Sequence, residues 1–339
     1  MDSFFILELI ILPLIIIALG SFMFNIYEYI NRVKTRIFPR FLMQIYKQWA
    51  EMISRPSTPS NKIKGLVSYL YPFVFLACGI LISWLIPLGL VSPFANHPLS
   101  LILILFFFII IPIIRAYMVI SSDNEQNITV AKKDIKKTAE YFLPILISVI
   151  SLLYLLSHFY NDNDRIFNIT DFIAFQTSAS IEILGITHPA LFIFLNPFAF
   201  LAFISAIIGY MRDTNLDIDP DEEQVRYWNP EKEFTGRRYL MILIGKCIEL
   251  VFLISFPITL FLASGQFSTN ILINAAYYFA LLFILLLIIA IIGHGKPRTF
   301  VDRRILYFVR TPFFLALLSI AFTFFVINFD IPFVSLAFN

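Results

Sequence analysis

Carboxylates crowd into one stretch of this chain, RDTNLDIDPDEEQVRYWNPEKEFTGRR (212–238). It holds eight acids, Asp213, Asp217, Asp219, Asp221, Glu222, Glu223, Glu231 and Glu233, and five bases, between long apolar runs. Crowded carboxylates raise one another's proton affinity, so some of them can take up protons near neutral pH. The plainer reading is a salt-bridged surface on which a basic partner docks, and the two are compatible. A second set of candidates lies inside or beside the apolar runs: Glu8, Arg115, Lys246 and Glu249, with Glu140 at the mouth of another run. A charge inside a membrane span costs about 2.5–3.5 kcal/mol on insertion scales, so each is a functional hypothesis by default. Lys246 and Glu249 are three residues apart and share a helix face, so they can pair. Such a pair either neutralises itself and fixes helix packing or relays protons. Arg115 is close enough to the end of its run to snorkel outward, and Glu8 is read as structural. The two cysteines, Cys78 and Cys247, fall short of the four thiolates an iron–sulfur cluster usually needs, and no metal-site spacing is present.

These residues must be carried by membrane spans. Hydrophobic residues make up 59% of the 339 and charged residues 14%, whereas soluble domains run near 45–50% and about 25%. The fold class expected is an all-α integral membrane protein, one polytopic domain over 1–339. A helix crosses a hydrocarbon core with about 20 apolar residues, and eight stretches qualify: 4–26, 67–91, 99–120, 139–160, 189–211, 239–264, 271–294 and 310–328. Prolines at 13, 72, 87, 112, 144, 197 and 257 predict kinks in the bundle. The segments 27–66, 121–138, 212–238 and 295–310 hold 22 of the 25 Lys and Arg residues. The positive-inside rule then puts them in the cytoplasm and both termini on the outer side of the cell membrane. In the first connection, 39–53 places Phe41, Ile45, Trp49 and Met52 at helical spacing, predicting a helix on the membrane surface. The outer segment 161–188 is too polar to span, and FIAFQTSASIEIL within it suggests another surface helix. The start, MDSFFILELI, lacks a basic n-region and cleavage site and is read as a retained span. Taken alone, the pattern also suits a stand-alone secondary transporter, although no clear internal repeat is visible.

Five local patterns, in order, give the chain a family resemblance. INRVKTRIFPRFLMQIYKQW (30–49) is similar to a basic loop followed by a "Q-P-x-x-D-x-x-K" amphipathic helix. YPFVFLACGILISWLIPLG (71–89) looks like a second span closed by Pro-Leu, and IIRAYMVISSDN (113–124) like the end of a third span with its Arg and small polar turn. DTN followed by DIDPDEEQVRYWN and EFTG (213–236) resembles an "E-T-N-R … D-x-P-E-A-E-E-E … Y-N … E-Y-S-G" loop. RRILYFVRTPFFLALLSIAF (303–322) resembles a "K-L-R-L-F-R-V-P-E-F-L" entry to a last span. Together these resemble the subunit 1 family of respiratory complex I. The last wording is more typical of its branch in membrane-bound, energy-converting hydrogenase-type complexes.

The resemblance implies a subunit that anchors a peripheral electron-transfer arm and couples it to antiporter-like subunits. Its acidic loop would link redox chemistry to ion entry, with Asp213, Asp219, Glu222, Glu223 and Glu233 on the family's acidic positions. Asp217, Asp221, Arg115, Glu140, Lys246 and Glu249 complete the expected coupling set, and Arg32, Lys34, Arg36, Arg237 and Arg238 form the expected docking set. The partners implied are hydrogenase-like large and small subunits, antiporter-like and small membrane subunits, and the lipid bilayer, with no nucleic acid. Iron–sulfur clusters, and in the hydrogenase branch a nickel–iron centre, belong to partners, leaving no redox cofactor in this chain. Redox changes nearby shift carboxylates by several kcal/mol at most, the right order against a membrane potential worth about 2.3 kcal/mol per charge per 100 mV. The departures are definite. The Gly-Pro after the basic loop is missing, Leu216 replaces the Arg after "E-T-N", and the early Glu of the sixth span falls near Leu243. They argue against a normal quinone site, the feature a quinone-reducing subunit 1 would need, and they admit an anchor that no longer conducts ions.

Overall fold

In the computed structural model, residues 3–34, 53–54, 66–86, 92–121, 125–159, 168–183, 186–213, 234–265, 270–295, 310–328 and 336–338 are described. Long apolar runs become helices because backbone polar groups have no other partner in lipid. The chain runs through α1 (Ser3–Lys34), α2 (Val67–Leu85), α3 (Ser100–Ile120), α4 (Glu125–Phe159) and α5 (Ile169–Ser178). It continues through strands β1 (Ala179–Ile183) and β2 (Ile186–Pro189), then α6 (Phe192–Leu195), α7 (Pro197–Asp213), α8 (Gly236–Phe261), α9 (Ile271–Gly295), α10 (Thr311–Asn328) and β3 (Leu336–Phe338). Among the described residues, six helices are long and apolar enough to cross a membrane, and α2 and α7 contribute two shorter apolar helices, Tyr69–Leu85 and Pro197–Met211. The all-α, multi-pass membrane class is therefore correct, and all eight anticipated stretches are represented.

Several boundaries differ for identifiable reasons. The segment 27–66 begins as helix, because α1 runs on to Lys34. Likewise α4 starts at Glu125, inside a stretch read as a connection, since that sequence contains good helix formers and no breaker. The span expected at 189–211 is broken. A single turn, α6, ends at Asn196, and α7 starts at Pro197. Pro fits the first helical position, and the Asn196 side chain caps α7 by accepting from the Ala199 N–H at 3.0 Å. The same amide donates to Thr323 Oγ1 (2.7 Å) and the Ser319 carbonyl (3.1 Å), tying α7 to α10 within the apolar interior.

The expected outer surface helix is a correction. Helix α5 buries Ile169, Phe172, Ile173, Phe175 and Gln176 in place of lying on a surface. The chain then turns extended as β1, the centre of a three-stranded antiparallel sheet ordered β2-β1-β3 that sequence reading did not anticipate. Ile181 pairs with His188, and Ser180 pairs with Ala337 near the C-terminus. The surface helix expected at 39–53 lies almost wholly outside the described residues.

Helix α8 is the hub. In this helix, 83% of the most apolar window is buried, against 33% for the window in α9 and 22% for that in α10, and it packs against α1, α2, α5, α7 and α9. Close approach is obtained with glycine, as is usual where helices meet in membranes. A Cβ on Gly20 of α1 would collide with the Cys247 carbonyl of α8, and one on Gly209 of α7 with the Tyr141 ring of α4. At the far end of α8, Gln176 is wholly buried. Its Nε2 donates to the Leu260 carbonyl (3.1 Å), and its Oε1 accepts from the Phe192 and Ala263 N–H groups (3.2 Å each).

Candidate functional site

The bundle has one end at which α3 and α7 finish and α8 begins, and the acidic segment 214–233 is attached there between Asp213 and Phe234. A few turns inside that end, three helices converge on a single carboxylate. Glu249 of α8 has a side chain 3% exposed, and Arg115 of α3 is turned inward at 14%. Arg115 Nη2 lies 2.5 Å from Glu249 Oε2, and Tyr210 of α7 donates its hydroxyl to Glu249 Oε1 at 3.0 Å. A charge-assisted bond to each carboxylate oxygen is what a buried ion pair needs to offset desolvation. Beneath the guanidinium is the Phe75 ring of α2, with Arg115 Cζ 5.5 Å from its centroid, close enough for a cation–π contact. Gly245, one turn before Glu249, leaves the room that Phe75 fills, because a Cβ there would strike the ring. Lys246, also one turn before Glu249, is buried at 7% exposure.

Two features go beyond the expectations. Glu249 has an ion-pair partner on another helix, Arg115, in addition to its helix-face neighbour Lys246 in sequence. Arg115 does not snorkel, because a buried carboxylate within reach is a better partner than the interface. Glu140 stays apart, its carboxylate 3.9 Å from Lys136 in a largely exposed i,i+4 pair. Arg237 is exposed, while Arg238 folds over the Tyr69 ring at 4.6 Å. Arg32 and Lys34 lie in the last turn of α1, and Asp213 is the last residue of α7. Arg36, Asp217, Asp219, Asp221, Glu222, Glu223 and Glu233 lie outside the described residues. Among the described residues, no group of three or more His, Cys, Asp and Glu could hold a metal ion.

Tyr210 and Phe75 were not anticipated. Tyr210 is a hydroxyl near the end of an otherwise apolar run, and a scan of the runs for polar side chains of every kind would have raised it. Phe75, one of 39 phenylalanines, carries no such mark.

What this arrangement can do is limited and definite. It holds a carboxylate away from water with a cation and a hydroxyl on its two oxygens. Altering any one of these contacts changes the cost of keeping the charge, the property used by intramembrane proton and ion relays.

Comparison with known proteins agrees with this architecture. The chain matches the family model described as NADH dehydrogenase over residues 6–324. No curated protein matches it. Among solved structures, it is similar to a chain from the membrane-bound sulfane sulfur reductase, an archaeal respiratory membrane complex. The TM-score is 0.71 at 19% identity, with 94% of this chain and 99% of that chain covered, a likeness of fold. With the family model spanning nearly its whole length, this chain belongs to the NADH dehydrogenase family, that of the subunit 1 membrane protein of respiratory complex I.

Proposed function

We propose that the chain is the membrane-anchoring and coupling subunit of a complex-I-like, ion-pumping oxidoreductase. It links a peripheral iron–sulfur, hydrogenase-like arm to antiporter-like membrane subunits. The observation that carries this reading is the buried Arg115–Glu249–Tyr210 cluster, a few turns inside the end of the bundle that bears the acidic segment. In this reading the basic connections and the acidic segment face the cytoplasm, and both termini lie outside. Arg32, Lys34, Arg36, Arg237 and Arg238 meet the arm, and the carboxylates of 213–233 pass its charge changes to Glu249. The overall reaction is low-potential electron transfer to a terminal acceptor, driving ions outward. Protons are the acceptor in a hydrogenase-type arm. The fold shared with a chain of a sulfane sulfur reductase complex supports sulfane sulfur as the other candidate, and nickel analysis of the purified complex separates the two.

The test is the intact complex in proteoliposomes, with Asp219→Asn or Glu223→Gln. Charge moved per electron is expected to fall while electron transfer continues. An unchanged ratio removes the coupling role from the acidic segment. Transport of a solute by the isolated chain overturns the subunit reading altogether.

A further inference from the structure

One flank of the acidic segment touches the buried ion pair directly, and the other reaches it through stacked rings. On the upstream side, Tyr210 stands three residues before Asp213, and its hydroxyl is on Glu249. On the downstream side, Phe234 is buried at 2% exposure and stacks on Tyr71, with centroids 5.9 Å apart and planes 27° apart. Tyr71 stacks in turn on Phe75 at 5.7 Å and 18°, and Phe75 lies under Arg115. Tyr71 and Phe75 are themselves 3% and 2% exposed. Rings packed this closely transmit displacement, because the interior has no free volume to absorb it.

Among the described residues, no cation lies over the rings of another cluster, that of Phe203, Phe252 and Phe256. The Phe234–Tyr71–Phe75 stack ends on a buried guanidinium. A second feature is independent of the stacking. Gly245 has no side chain where Phe75 sits, so the ring bearing on Arg115 is seated by the same helix that carries Glu249.

We infer that Phe234, Tyr71 and Phe75 form a ring relay that couples the downstream flank of the acidic segment to the Arg115–Glu249 contact. The three are positioning residues for coupling, acting through Arg115. The inference rests on the coupling role proposed above for the ion pair. With Tyr210 it makes the pair a clasp held from both flanks. A shift of Phe234 moves the ring beneath Arg115, a shift of Tyr210 moves the hydroxyl on Glu249, and either one changes how well the charge is held.

The experiment uses the intact complex in proteoliposomes. Reduced methyl viologen supplies electrons, and a voltage-sensitive dye reads membrane potential per viologen oxidised. Tyr71→Leu and Phe234→Leu should each lower the ratio by about threefold, the strength of one aromatic contact. The double variant should fall no further than either single one, because both act through one path. Tyr71→Phe and Phe234→Tyr, which keep the rings, should retain the parent ratio, as should Phe198→Leu, an aromatic pair member elsewhere. If a Leu variant does not assemble, Gly245→Ala replaces it, since it keeps every ring but crowds Phe75, and it should show the same fall. Assembled ring variants with the full ratio, or an equal fall in Phe198→Leu, overturn the relay. Glu249→Gln, measured alongside, separates the two ideas. If it lowers the ratio while the ring variants do not, only the relay fails. If it leaves the ratio unchanged, relay and coupling role fall together.

Discussion

Removing both members of the buried ion pair should harm the protein less than removing one. With Glu249→Leu alone, Arg115 is left charged at 14% side-chain exposure with its carboxylate gone. Stranding one partner of a buried pair costs about 3–5 kcal/mol. In Arg115→Met/Glu249→Leu the stranded charge is gone, and Met keeps an unbranched stem over the Phe75 ring. Replacing both ions with apolar groups of similar volume is commonly neutral or stabilising by about 1–4 kcal/mol. The Tyr210 hydroxyl loses its acceptor in either variant, at about 1 kcal/mol. The double variant should therefore be more stable than Glu249→Leu by at least about 3 kcal/mol. Thermal unfolding of the detergent-solubilised complex, followed by tryptophan fluorescence, measures the difference. A double variant no more stable than the single one would refute the view that Arg115 is buried only because Glu249 is there. A double variant that is stable yet still pumps normally would make the pair structural.

Three further outcomes follow from the packing. Gln176→Leu strands the Phe192 and Ala263 N–H groups and the Leu260 carbonyl, so thermal unfolding should show a loss on the order of 3 kcal/mol. Gly20→Ala forces α1 away from the Cys247 carbonyl and should cost about 1–3 kcal/mol in the same assay, whereas Ala at an uncrowded lipid-facing position should cost almost nothing. Lys136→Ala removes only an exposed pair and should change stability by less than about 0.5 kcal/mol.

The spans were legible because twenty apolar residues leave a chain in lipid one secondary structure. Their ends were less so. Apolarity fades at Tyr29 and Thr138, yet helix continues past both points, since helix formation needs backbone bonds and not hydrophobicity. The break at Asn196-Pro197 was written in the sequence as a cap residue followed by proline, but a hydropathy reading averages over it. The strand Ala179–Ile183 was hidden because its partners are set by tertiary contact, one of them near the far end of the chain. Arg115 and Glu249 were each recognisable as charges out of place. Their pairing was not, because 134 residues separate them and the helical repeat offered Lys246 as the nearer partner. The Phe234–Tyr71–Phe75 stack left no trace in a chain so rich in aromatic residues.

The central claim is that Glu249, held by Arg115 and Tyr210, couples electron transfer to ion movement. Glu249→Gln keeps the shape and one acceptor oxygen, turns the other oxygen into an amide NH2 that donates, and removes the charge. The decisive measurement is membrane potential generated per electron by the Glu249→Gln complex in proteoliposomes. The account predicts that electron transfer persists while the potential per electron collapses. A ratio equal to that of the parent complex would contradict it.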